Sequence, residues 1–350
     1  MELLVGSSCH RRYIVAYGLI ILLALLPELA LTMISDDYDL PPVGQGRFPF
    51  VVFSIAIAGM IALLRPLYLV VRLHPSPAKQ LLADVRTHLP TLIAMTIMIL
   101  ALPETLDAAT RFKKIIPQIQ PFYLDPAVAE LERSLLGMDA WRYTHAFIGP
   151  VGTRIIDTVY GYWHLVNIGL LCWICLTPDR RFQILAGLSY QLAWLVLGAG
   201  MATALSSVGP CFYETFFGAD DFAPLMERLH AIGDTDGLHS LTAMDYLLAS
   251  AGTDAIGGGI SALPSLHVAI ATLAVLVARE KFRGSAWPTA LAAVYAGTIF
   301  VGSVHLGWHY AIDGLLGAAG MLAIWFPLKL ALNRLLPDVT GSHEGRAPRT

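Results

Sequence analysis

The chain has 350 residues, of which 56% are hydrophobic and 14% charged, and its mean hydropathy is +0.61. Soluble globular domains run nearer to roughly 45–50% apolar and about 25% charged, and 23 Lys and Arg against 26 Asp and Glu leave no basic excess to attract nucleic acid. Water-soluble enzymes, disordered chains and nucleic-acid binders fit these values poorly; an all-α, polytopic membrane helix bundle fits them well.

A spanning helix needs about 20 mostly apolar residues. In chain order eight candidates appear: 13–34, 48–71, 89–106, 153–176, 182–205, 263–279, 287–304 and 309–330, the sixth of them short. The first has a continuous apolar run through Leu26 and no clear small-residue cleavage site. It reads as an uncleaved span, with a signal peptide as the alternative.

Basic loops stay cytoplasmic, which sets the direction. Arg11 and Arg12 precede the first span; Arg72, Lys79 and Arg86 follow the second; Arg180 and Arg181 follow the fourth. Arg279, Lys281 and Arg283 follow the sixth, and Lys329 and Arg334 end the eighth. The alternate connections are acidic: Asp36, Asp37 and Asp39 against Arg47, and in 206–262 eight carboxylates against Arg228 alone. Arg111, Lys113 and Lys114, after the third span, break the pattern and are outvoted. Both termini are therefore expected in the cytoplasm of a cell (inner) membrane protein, with the acidic loop facing outward.

Two outward segments, 107–152 and 206–262, are too long for simple connectors. Within the first, 125–137 reads as a helix with Val128, Leu131, Leu135 and Leu136 on one side and Glu130, Glu132 and Arg133 elsewhere. That pattern fits an interfacial helix or a solvated loop helix equally. The second carries Gly257–Gly259, which allows close backbone approach or mobility. Cys172 and Cys175 form a C-x-x-C inside an apolar run and read as packing residues; Cys9 and Cys211 have no evident partner. Trp163, Trp173 and Trp194 are expected to face lipid or pack. The tail 337–350 is polar and expected to be disordered.

Ionisable residues at the ends of membrane helices are functional suspects, and two clusters fall on the outward side. Ala-Leu-Pro-Ser-Leu-His at 262–267 opens the sixth span. Pro264 suits a first helical turn, whose free N–H groups favour an anion, and Ser265 and His267 add a hydroxyl and an imidazole. The second cluster runs from Ser303 to Asp313 and includes His305. His309 and Asp313 are four residues apart, so on one helix they share a face. A carboxylate there fixes the imidazole tautomer and leaves the other nitrogen free to attack.

P-S-x-H followed by G-x-H-x3-D strongly resembles the second and third motifs of the type 2 phosphatidic acid phosphatase superfamily. Its third motif is S-R-x5-H-x3-D, and here Gly302 and Ser303 stand where that motif has Ser and Arg. The first motif, K-x6-R-P, falls on Gly209-Pro210 with no lysine upstream; Arg65-Pro66 is a false match. P-S-L-H, the arginine-less third motif with His305, and the proline-containing loop resemble the inositol phosphorylceramide synthase branch. So do 123–141 and the set Asp157, Tyr160 and His164. The likeness covers roughly 123–330.

This resemblance implies a six-helix catalytic core within 89–335; the two N-terminal helices in 1–88 lie outside it, and 336–350 is expected to be a polar cytoplasmic tail. It also implies that His309 attacks phosphorus to form a phosphohistidine, with Asp313 stabilising the imidazolium. His267 would protonate the leaving oxygen and then activate the acceptor. Ser265 and first-turn N–H groups would hold phosphoryl oxygens. His305 and Arg154 are the expected substitutes for the absent basic phosphate ligands. No metal or cofactor is implied; the partners are a membrane lipid substrate and a lipid or water acceptor. The activity implied is transfer of a phosphorylated headgroup such as phosphoinositol to a lipid hydroxyl, or else lipid phosphate hydrolysis. Two other classes stay open: a metalloenzyme using His305, His309, Asp313 and His267, and a transporter with Asp157, His164, Asn167 and Gln191 along a path.

Overall fold

The computed structural model describes residues 2–35, 38, 40, 44, 48–250 and 258–336. Asp36, Asp37, Asp39, Arg47, Asp254, Gly257 and the tail 337–350 lie outside them. Among the described residues every regular element is helical: α1 (Glu2–Met33), α2 (Phe48–Val71), α3 (Pro77–Ile119), α4 (Asp125–Leu136), α5 (Ala140–Phe147), α6 (Pro150–Gly161), α7 (Trp163–Leu176), α8 (Arg180–Leu192), α9 (Ala202–Ala204), α10 (Tyr213–Phe217), α11 (Ala223–Asp236), α12 (His239–Ser250), α13 (Leu266–Lys281), α14 (Trp287–His305) and α15 (Ala311–Leu335). A wide-turn segment, Ala193–Met201, joins α8 to α9. The chain is a polytopic helical membrane protein.

Among the described residues six helices are long and apolar enough to cross a membrane: Arg11–Met33, Pro77–Ile119, Pro150–Leu176, Arg180–Ala204, Trp287–His305 and Ala311–Leu335. The other two expected spans also form helices, α2 of 24 residues and α13 of 16. α13 is the central helix of the bundle. It packs against α7, α8, α14, α15 and Ala193–Met201, and Val268, Ala269, Ile270, Ala271, Leu273 and Val277 are all buried. The span expected at 153–176 is two helices meeting at Tyr162.

The third span corrects the sequence reading. α3 runs on through Ile119, so residues expected in a connector are its last turns. The basic residues that broke the charge pattern are turned into the protein. Arg111 pairs with Glu28 of α1 at 2.5 Å, both buried; Lys113 lines a cavity described below. Whereas Arg133, Arg142, Arg154 and Arg228 stay on α4, α5, α6 and α11, the basic residues of the expected cytoplasmic loops gather at the opposite end of the bundle. There Arg12 donates to the Leu335 carbonyl at 3.0 Å, Arg181 pairs with Asn333, Lys281 with Asp179 and Lys329 with Glu280, and Arg180 lies over Tyr13.

α4 buries a different stripe from the one its leucines suggest. Asp125, Val128, Ala129 and Glu132 face inward, at helical i, i+3, i+4, i+7 spacing, whereas Leu131, Leu135 and Leu136 are exposed. Glu132, expected on the polar side, is buried because it accepts the N–H of Ala140 at 2.9 Å and of Ala311 at 2.6 Å. The long segment before α13 folds into α10, α11 and α12 over the end of the bundle where α13 and α15 begin.

Candidate active site

α14 ends at His305 and α15 begins at Ala311. His309 therefore precedes the helix instead of opening it, and shares no helical face with Asp313. The pair forms anyway, because Asp313 in the first turn of α15 reaches back. His309 Nδ1–H donates to Asp313 Oδ2 at 3.2 Å, and the Tyr310 N–H donates to the same oxygen at 3.1 Å. Asp313 is fully buried and His309 nearly so. With Nδ1 as donor, the lone pair sits on Nε2.

The other histidine arrives on α13. Ser265 caps that helix, its Oγ accepting the Val268 N–H at 3.4 Å. Pro264 lies before the cap and not in the first turn as expected. The Ser265 N–H donates to the Asp313 carbonyl at 3.0 Å, so the two histidine motifs are joined backbone to backbone. The His267 ring lies 6.1 Å from that of His309 and stacks on Tyr160 at 4.9 Å. Trp163 packs against it at 4.2 Å and donates Nε1–H to the His267 carbonyl at 3.1 Å; His164 stands 6.2 Å away, edge-on. Trp163, expected to be a lipid-facing or packing residue, thus belongs to the wall of this site.

The two expected phosphate ligands are not brought here. His305 is fully buried, its Nε2 2.9 Å from Thr153 Oγ1 and its Nδ1 3.0 Å from Thr144 Oγ1. Both ring nitrogens are occupied by hydroxyls, which leaves neither for a phosphoryl oxygen. His145 packs against it with ring centres 4.0 Å apart and planes tilted by 31°, and donates Nε2–H to its carbonyl at 2.7 Å. Arg154 on α6 donates to the Ile232 carbonyl of α11 at 3.5 Å, away from the histidines. The break between α14 and α15 also takes His305 off the helical line that a His305–His309–Asp313 metal set requires. Among the described residues no three His, Cys, Asp or Glu side chains are grouped to hold a metal ion.

The loop at the first-motif position has no room for an arginine. Gly209 has φ +87°, and a Cβ there would fall 2.4 Å from the Trp308 carbonyl oxygen. An internal anion fills the loop instead. The Asp125 carboxylate accepts from Ser207 Oγ at 2.9 Å, Val208 N at 3.0 Å, Gly209 N at 2.8 Å and Tyr310 OH at 3.2 Å. Burial raises the pKa of both Asp125 and Glu132 in spite of the hydrogen bonds each accepts.

Beside His267 lies a cavity of about 530 Å³. Tyr160, His164, His267 and Trp308 form its inner wall, α12 supplies His239, Ser240, Ala243, Tyr246 and Leu247, and Lys113 projects from α3. α12 is anchored by Asp157, which accepts from His239 N at 2.7 Å, Ser240 N at 2.9 Å and Ser240 Oγ at 2.5 Å. The remaining polar residues of the supposed transport path are bonded elsewhere: Asn167 to Tyr190, and Gln191 to Thr105 and the Ile20 carbonyl. Lys113, Asp125, Glu132 and Trp163 escaped the sequence reading of this site. Only Lys113 left a trace there, as a cation on the wrong side of the charge pattern.

No curated protein and no solved structure matches this chain. The model of the PAP2 superfamily matches residues 127–326, a stretch that holds both histidine motifs and spans more than half the sequence. Members of that superfamily are phosphatases or phosphotransferases, and on this match the chain belongs to the PAP2 superfamily as a membrane lipid enzyme of that type.

Proposed function

We propose that the protein is a lipid phosphotransferase of the inositol phosphorylceramide synthase branch, moving a phosphorylated headgroup such as phosphoinositol from a phospholipid to a lipid hydroxyl. The observation that carries the reading is the His309–Asp313 hydrogen bond with His267 facing it. His309 Nε2 attacks phosphorus and the leaving lipid oxygen departs with a proton from His267, giving a phosphohistidine in which phosphorus keeps a single ester bond, to the headgroup. His267 then takes the proton of the acceptor hydroxyl, whose oxygen attacks phosphorus and frees His309. Asp313 holds the imidazole tautomer in the first step and offsets the imidazolium charge that develops. Ser265 still has an O–H to donate to a phosphoryl oxygen. The clustering of Arg12, Arg180, Arg181, Lys281 and Lys329 at the far end of the bundle supports a site acting at the outer face, with both termini cytoplasmic.

Purified protein is to be incubated with headgroup-labelled phosphatidylinositol and ceramide in the presence of chelator, beside His309→Asn. Label transferred to ceramide only by the protein with His309 is the expected result. Water-soluble label alone would make the enzyme a phosphatase. Equal transfer by His309→Asn would reject the phosphohistidine.

A further inference from the structure

The Lys113 ammonium has no acidic partner among the described residues, yet it lines the same cavity as His267 and His164. A part-buried cation with no counter-ion among the described residues is costly. Its neighbour Arg111, two residues earlier on α3, is neutralised by Glu28. Lys113 is also enclosed by design of the backbone: a Cβ on Gly259 would lie 2.9 Å from the Lys113 carbonyl carbon and from its Cγ. Only glycine lets the end of the 206–262 segment lie this close over the lysine stem.

No basic residue stands at the motif positions that hold phosphate in this superfamily, and the loop that would carry one is filled by Asp125. We propose that Lys113, delivered from α3 outside the matched stretch, is the cation that binds the substrate phosphate. We further infer that this single charge selects a monoanionic phosphodiester over a dianionic monoester. The assignment rests on the histidine chemistry proposed above for the place where the phosphate is presented. Lys113 and the protonated His267 together balance the single charge of a diester and the buried Asp313 carboxylate; a monoester brings a second negative charge for which the residues lining the cavity hold no further lysine or arginine.

The test is binding in the full-length His309→Asn protein, which prevents turnover. The probes are dihexanoyl phosphatidylinositol as diester and dihexanoyl phosphatidate as monoester. Lys113→Met is expected to weaken diester binding at least tenfold and Lys113→Arg to restore most of it. The parent is expected to prefer diester over monoester at least tenfold. Lys113→Met is further expected to melt no lower than its parent without ligand, because it removes a charge with no acidic partner among the described residues, and that separates loss of binding from loss of fold. Diester binding by Lys113→Met within twofold of its parent, or a parent that binds no diester, would overturn the assignment; equal affinity for both probes would overturn the selectivity. If His309→Asn instead keeps full transferase activity, the nucleophile assignment fails while the lysine result still stands on binding.

Discussion

Glu132 accepts the N–H of Ala311 at 2.6 Å, and Ala311 is the first residue of α15, two positions after His309. One carboxylate of the short helix α4 thus fixes where the catalytic helix begins. Asp125, two turns earlier on α4, does the same for Tyr310 through its hydroxyl. Replacing Glu132 by Ala leaves the buried N–H of Ala140 and the part-buried N–H of Ala311 without acceptors. A loss of about 1–3 kcal/mol of stability is expected, with kcat falling more than KM rises. Thermal unfolding in detergent and steady-state lipid assays measure the two effects. Unchanged kcat in a folded Glu132→Ala protein would show that α4 does not position His309.

Asp313→Asn retains the shape of the side chain but offers an amide where His309 Nδ1–H needs an acceptor. The imidazole loses its tautomer preference, and kcat is expected to fall on the order of 10²–10⁴-fold with little change in lipid binding. A drop of less than threefold would remove Asp313 from the mechanism.

His267 as general acid makes a leaving-group prediction. His267→Gln is expected to lower turnover of a lipid diester by about 10²–10⁴-fold, but turnover of a p-nitrophenyl diester much less, because that leaving group departs without a proton. Equal losses on both substrates would assign His267 a structural role.

The His145–His305 pair makes stability depend on pH. Burial lowers the pKa of His145 below its ordinary 6.5, and its buried Nδ1 has no partner among the described residues. The unfolded chain therefore binds more protons in this window, so stability is complete above about pH 6.5 and declines as pH falls below it. His145→Gln keeps a donor for the His305 carbonyl and cannot titrate. Melting temperatures measured from pH 8 to pH 5 are expected to fall less for this variant than for the parent; identical slopes would refute the assignment.

Restoring the superfamily's arginine tests the crowded loop. Gly209→Arg places a side chain at φ +87° against the Trp308 carbonyl. The backbone conformation alone costs about 1–3 kcal/mol. Lower thermal stability and no gain in activity are expected; a stable, more active Gly209→Arg enzyme would contradict the geometry.

The helical bundle and the histidine motifs were legible in the sequence because both are local signals. Spans are read from apolar runs, and Pro-Ser-Leu-His and His-x3-Asp from short spacings. The His309–Asp313 contact formed as expected even though the helix began two residues late, since the carboxylate of a first helical turn can reach back to the residues before it. Local spacing failed where a distant element decided the outcome. His305 looked like a phosphate ligand until α5 and α6 brought threonine hydroxyls to both its nitrogens. Glu132 looked solvated on its own helix because its partner Ala311 lies 179 residues away. Lys113 broke the charge rule because that rule counts loop charges, and α3 carries this one into the protein.

The phosphohistidine is the central claim, and direct trapping tests it best. Enzyme mixed with ³²P-labelled phospholipid donor without acceptor is to be denatured in alkali within the first turnover and digested for mass mapping. Acid-labile, alkali-stable label on the peptide containing His309, absent from His309→Asn, is the expected result. Full turnover with no label on that peptide, or with the label elsewhere, would contradict the account.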